Sequence, residues 1–131
     1  MSKTKVRKEH MDVLHFEHER WTKQLSFYKD ELLTYNHRLE EIVVRYNGRG
    51  VMTELESFQN KFIRQNEIID ILKHDIHEHE IVLAKDFIAN PVASDHRLFN
   101  YHDGLRDRME VFVKLYNELK LEFMRYLSKY M

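Results

Sequence analysis

Apolar residues recur along this chain at alternating steps of three and four, the spacing that places side chains on one side of an α-helix. In the first of three long segments, the repeating positions are Met11, Leu14, His18, Trp21, Leu25, Tyr28, Leu32, Tyr35, Leu39, Ile42 and Tyr46. In the second, they are Leu55, Phe58, Phe62, Gln65, Ile69, Leu72, Ile76, His79, Leu83 and Asp86. In the third, they are Leu98, His102, Leu105, Met109, Phe112, Tyr116, Leu119, Phe123, Tyr126 and Tyr130. The pattern predicts three long helices, each with a coiled-coil-like seam.

Glycine and proline mark two breaks between these segments. Gly48 and Gly50 fall in the first break, near residues 47–51, and Pro91 falls in the second, near residues 90–94. These residue types favour turns and interrupt helices. The predicted helices span about residues 3–46, 52–89 and 95–130.

The connections between the predicted helices are short compared with the helices themselves. Short connections make consecutive helices run antiparallel. The expected fold class is therefore all-α, as an elongated up-down-up antiparallel three-helix bundle with coiled-coil-like heptad packing. A chain of 131 residues suffices for one such unit and is too short for two ordinary domains, so residues 1–131 are expected to form a single helical-bundle domain.

The charge balance argues against a nucleic-acid partner. Lys and Arg together number 21, against 22 Asp and Glu, so no excess of positive charge is available to neutralise phosphates. The sequence has no cysteine, which excludes disulfides, thiolate metal sites and thiol catalysis. No uncharged apolar run is long enough to cross a bilayer, so we expect no integral membrane association and, as the simplest case, a cytoplasmic location.

Three histidines lie at seam positions and are expected to meet in the folded bundle. If the first turn is centred near residue 48, antiparallel partners have numbers that sum to about 97, which places His18 opposite His79. If the second turn is centred near residue 92, His102 lies about one helical turn from the other two, and Asp86 lies near the same level. This arrangement would gather three imidazoles and one carboxylate at the end of the bundle where the chain begins.

Such a group has more than one interpretation. Three imidazoles with one carboxylate suit zinc, iron or manganese, although the sequence lacks the Glu-x-x-His pattern of ferritin-like di-iron sites. Histidines in a seam are also typical of a polar layer that fixes the helix register. A third interpretation is a layer that loosens when its imidazoles become charged near pH 6–7.

Several apolar residues fall outside the seams. Phe16, Phe27 and Ile71 occupy outermost helical positions, which a three-helix core does not cover. Exposed apolar residues on a rod favour a second interface, with another copy of the chain or with a helical protein partner. Isolated surface hydrophobic residues are the ordinary alternative.

Our first functional hypothesis is a non-enzymatic helical-bundle protein, interacting or structural, that acts through self-association or partner helices and needs no cofactor. The sequence shows no pattern that would activate a Ser or Thr nucleophile and no glycine-rich loop to hold a phosphate. The alternative hypothesis is a metal-binding helical bundle that uses His18, His79 and His102, with Asp86 as a fourth ligand and zinc, iron or manganese as the metal.

Overall fold

A computed structural model describes residues 3–46, 48–89 and 96–130 of the chain. This part of the chain forms three α-helices and no strand: α1 spans Lys3–Arg45, α2 spans Arg49–Ala89 and α3 spans His96–Ser128. The predicted all-α three-helix bundle is confirmed. At about 1.5 Å per residue, the 43 residues of α1 give the molecule its length.

The start of α2 differs from the prediction by three residues. The backbone N–H of Met52 donates to the carbonyl of Gly48 at 3.1 Å, so the helical hydrogen bonds already begin at Gly48. Gly50 lies inside the first turn of α2, and neither glycine has a positive φ. A glycine costs a helix about 1 kcal/mol relative to alanine, a cost that the rest of this long helix easily outweighs.

Ion pairs between the helices define the topology. Each pair of helices is joined by ion pairs at two different levels: Lys29 to Asp70 and His18 to Glu80, Arg108 to Asp75 and Lys61 to Glu122, and Lys120 to Glu31 and Arg106 to Glu17. Residue numbers therefore rise along α1 while they fall along its neighbour α2, and the same holds for α2 and α3. The helices α1 and α3 run in the same direction, which completes the up-down-up arrangement.

The seams form the interior of the bundle. We call the large apolar cluster between the three helices the main core; it consists of Trp21, Leu25, Tyr28, Leu32, Tyr35, Leu39, Ile42, Leu55, Phe58, Phe62, Ile69, Leu72, Ile76, Leu105, Met109, Phe112, Tyr116, Leu119, Phe123, Tyr126 and Leu127. Leu14 and Leu83 are also buried but lie outside this cluster. Seam positions close to the helix ends are less covered, as Tyr46 shows with 40% of its surface exposed. Within the described residues, no helix is both long and apolar enough to pass through a membrane.

Candidate metal centre

Each helix contributes one buried histidine to a single layer of the bundle. His18 from α1, His79 from α2 and His102 from α3 retain only 3%, 3% and 1% of their surface. One ring nitrogen from each residue lies within 4.8 Å of the other two. The structure thus brings together the three histidines, including His102, which the sequence register had placed about one helical turn from the other two. We call this group the histidine layer.

The imidazoles of His18 and His102 face each other most closely. Nε2 of His18 lies 3.1 Å from Nδ1 of His102, and the ring of Trp21 stacks on His102 with centroids 5.0 Å apart. The ring of His79 completes the layer, with its centroid 5.4 Å from that of His18 and 5.7 Å from that of His102. The indole belongs to the main core, packs directly against the polar layer and restricts how the His102 ring can turn.

The outer nitrogens of His18 and His102 are both held by carboxylates. Nδ1 of His18 bonds to Oε2 of Glu80, and Nε2 of His102 lies 3.1 Å from Oε1 of Glu17. An ionised carboxylate only accepts hydrogen bonds, so these two ring nitrogens carry the protons and donate them. The inner nitrogens, Nε2 of His18 and Nδ1 of His102, face each other at hydrogen-bond distance, so a hydrogen bond between them requires one further proton on this pair of rings.

Glu17 is itself fixed by an arginine. Arg106 donates from Nη2 to Oε1 of Glu17 at 2.6 Å and from Nε to Oε2 at 3.0 Å, the bidentate geometry that suits a carboxylate. The hydrogen bonds from Arg106 hold the pKa of Glu17 below its usual range, against the opposing effect of burial. Glu17 is therefore charged at neutral pH and remains an acceptor for His102.

Glu80 has a similar role on the other side of the layer. Burial by itself raises the pKa of this carboxyl, but the hydrogen bonds from His18 and His15 outweigh it and leave the pKa lowered. The exposed His15 also lies 3.1 Å from Glu19, and its pKa is raised, chiefly by the hydrogen bond to Glu80. Glu80 therefore accepts hydrogen bonds from a surface imidazole and a buried one at the same time.

His79 differs from its two neighbours because its Nε2 atom is buried and has no hydrogen-bond partner among the described residues. Burial, reinforced by the charges of His18 and His102, lowers the pKa of His79 to about 4. The imidazole is therefore neutral near pH 7 and has a lone pair on one ring nitrogen. A neutral imidazole is the form in which histidine binds a metal ion.

Two carboxylates that the sequence prediction did not include contact the imidazoles of this site. They come from Glu80, which bonds to His18, and Glu17, which bonds to His102, whereas Asp86 does not belong to the group of ligand atoms that lie within 4.8 Å of one another. Glu17 directly precedes the seam residue His18, and Glu80 directly follows the seam residue His79. Charged residues beside a seam position commonly reach across to the neighbouring helix, and this was the signal that could have identified them.

The outward apolar residues lie where the sequence pattern placed them. Phe16, Phe27 and Ile71 keep 61%, 59% and 50% of their surface exposed. Phe16 and Phe27 are eleven residues apart on α1, which corresponds to about three helical turns and places them on nearly the same side. They are at opposite ends of a stretch of roughly 16 Å; their role as an interface remains a prediction.

Comparison with known proteins provides no relative from which to transfer a function. The chain matches no family model, no curated protein and no solved structure. Its function has to be argued from its own residues.

Proposed function

We propose that this protein binds one divalent transition-metal ion, with zinc as the preferred metal, through His18, His79 and His102. The observation that carries the proposal is that the inner and outer ring nitrogens of these histidines have different roles. The outer nitrogens of His18 and His102 donate to Glu80 and Glu17, while their inner nitrogens face each other. Histidines that bind metals usually donate their other N–H to a carboxylate or carbonyl in this way.

The spacing of the inner nitrogens supports a tetrahedral ion. Ligand nitrogens about 2.0–2.1 Å from a tetrahedral zinc ion lie about 3.3 Å from each other, and Nε2 of His18 is 3.1 Å from Nδ1 of His102. The third ligand would be Nε2 of His79, which has no other partner. Its ring has to turn slightly toward the other two when the ion binds.

The ligand types favour zinc over the other metals considered. Imidazole suits zinc well, whereas manganese prefers carboxylate, carbonyl and water oxygens. Non-haem iron sites of the common facial type include a carboxylate in the first coordination shell, and here Glu17 and Glu80 instead contact the far sides of the imidazoles. Three protein ligands leave one position of a tetrahedral ion for water or another small ligand.

A purely structural polar layer explains His79 less well. Leaving a buried donor or acceptor without a partner costs about 1–3 kcal/mol, and the Nε2 atom of His79 is in that situation. A leucine of similar volume would avoid this cost. A bound metal ion gives the histidine a reason to occupy this position.

The proposal is tested by titrating untagged, metal-free protein with zinc in a calorimeter and measuring the bound metal by plasma mass spectrometry. We expect one zinc ion per chain, and loss of binding in His79→Leu. The matched control is His77→Leu, which changes an exposed histidine of the same helix and should bind like the wild type. Equal zinc binding by the two variants would contradict the assignment.

We also propose that the protein binds another copy of itself or a helical partner, as the sequence pattern predicted. This second proposal is supported by the exposure of Phe16 and Phe27 on nearly the same side of α1. The two functions are compatible, because these side chains lie outside the histidine layer.

A further inference from the structure

The histidine layer divides the buried part of the bundle into two unequal parts. On one side lies the main core, which begins at Trp21, Ile76 and Leu105. On the other side lie Leu14 and Leu83, which are buried but do not belong to the main core. We call this smaller part the terminal segment; it comprises residues 10–17 of α1, 80–89 of α2 and 97–101 of α3.

The terminal segment buries little apolar surface. Many of its large apolar side chains are exposed, including Val13, Phe16, Val82, Ile88 and Tyr101 at 56%, 61%, 44%, 81% and 47%. Burial contributes about 25 cal/mol for each square ångström of apolar surface removed from water. Regions with few buried apolar contacts open locally at a lower free energy than the rest of the protein.

Two contacts between helices in the terminal segment lie at or near its surface. His15 of α1 reaches Glu80 of α2, with 56% and 32% of their side chains exposed, and the ring of His10 lies 5.3 Å from that of Phe99. Exposed ion pairs typically contribute only about 0–1 kcal/mol. These two contacts therefore add little to the stability of the segment, and the histidine layer is what lies between it and the main core.

A hydrogen bond attaches α2 to the layer at its edge, whereas at the centre α2 is held by ring contacts of His79 with His18 and His102. Glu80 bonds to His18, but His79, the central residue that α2 contributes, has no hydrogen bond at its buried Nε2 atom. A metal ion bound to one histidine of each helix would add the missing link. Opening of the terminal segment at this level would then require breaking metal–ligand bonds.

We infer that metal binding orders the terminal segment, and that without metal this segment opens locally from an intact main core. The inference rests on the proposed metal binding and adds its structural consequence. A ligand that binds only the closed form stabilises that form by an amount that rises with the logarithm of the ligand concentration over its dissociation constant. Bound metal should therefore strongly reduce the rate at which the terminal segment opens. The reduction should be confined to this end of the bundle, because the histidine layer borders the terminal segment. The protein would thus exist in a metal-bound form with a closed end and a metal-free form with an open one.

The test is hydrogen–deuterium exchange of the full chain, followed by mass spectrometry, in chelator and with one equivalent of zinc. We expect zinc to slow exchange at least tenfold in peptides covering residues 10–17, 80–89 and 97–101. Exchange in residues 55–72, within the main core, should change much less. His79→Leu should show no response to zinc, whereas His77→Leu should respond like the wild type; circular dichroism of both variants checks that they remain helical.

The results of exchange and calorimetry together distinguish failure of this inference from failure of the proposed zinc site. If calorimetry shows one zinc per chain but the terminal segment exchanges at an unchanged rate, the inference is wrong and the metal site stands. Slowing that is equal in the main core and the terminal segment also overturns it, because the effect is then global. If no zinc binds, both the site and the inference are wrong.

Discussion

Nε2 of His102 lies 3.1 Å from Oε1 of Glu17, so a carboxylate of α1 holds an imidazole of α3. Arg106, one turn further along α3, holds the same carboxylate through two hydrogen bonds. The three residues form a chain that fixes the tautomer and orientation of His102. The inner nitrogen of this imidazole is thereby directed to the centre of the histidine layer before any ligand arrives.

Removing the charge of Glu17 should weaken metal binding without abolishing it. In Glu17→Gln, the neutral amide oxygen is a weaker acceptor than the carboxylate, so His102 is held less firmly and its inner nitrogen becomes less basic; mutation of such an outer partner typically costs 10–100-fold in metal affinity. Competition of the variant with a zinc chelator would measure the change. Glu118→Gln, at an exposed position of α3, is the control, and equal affinities of the two variants would argue against a role for Glu17.

In chelator, the His79→Leu variant should be more stable than the wild type. In zinc, it should be less stable than the wild type. Without metal, the substitution removes a buried nitrogen that has no partner, a change of about 1–3 kcal/mol in the free energy of unfolding. With zinc present, only the wild type gains from binding. Urea denaturation in chelator and in zinc would show whether the order of stabilities reverses. A variant that is less stable under both conditions would mean that the imidazole is a packing element.

The metal-free protein should lose stability as the pH falls from about 6.5 to about 4. The pKa of His79 is lowered from 6.5 to about 4 in the folded state, so within this range the unfolded chain binds a proton that the folded chain does not. Above pH 6.5, His79 is neutral in both states and does not lower the free energy of unfolding. Below pH 6.5, the free energy of unfolding falls progressively, and the loss reaches at most about 3 kcal/mol near pH 4.

Denaturation curves at several pH values in chelator would measure this effect. Glu17 and Glu80 also lose stabilising charge at low pH, and His15 acts in the opposite direction because its pKa is raised. Comparison with His79→Leu separates the contribution of His79 from theirs. If the wild type and the variant show the same pH dependence, His79 is not the group responsible.

Phe16→Ser combined with Phe27→Ser should reduce self-association if the exposed side of α1 is an interface. Both side chains are more than half exposed, so the change should leave the fold intact and act on contacts between molecules. Light scattering coupled to size exclusion, over a range of concentrations, measures the mass directly. Val111→Ser, an exposed apolar residue of α3, is the control for a general effect of surface polarity. A wild type that stays monomeric throughout would exclude self-association as the function.

Much of the bundle followed from the heptad pattern, because burial in a three-helix protein is set by which residues share a helix face. The same pattern placed His18 opposite His79 and His102 within about one helical turn of them, since the turns between long helices fix the register only approximately. It did not identify Glu17, Glu80 or Arg106. These residues flank the seam, and their partners depend on the rotation and spacing of neighbouring helices, which the periodicity alone does not define.

The distribution of the three histidines along the chain has a consequence for biosynthesis. They are separated by long stretches of sequence, and each lies on a different helix. A partly synthesised chain that has formed only α1 and α2 holds two of the three imidazoles, and the carboxylate of Glu17 still lacks Arg106 and His102. Tight capture of a metal ion would therefore have to wait until α3 has docked, so that a loaded site would mark a bundle in which all three helices are in place.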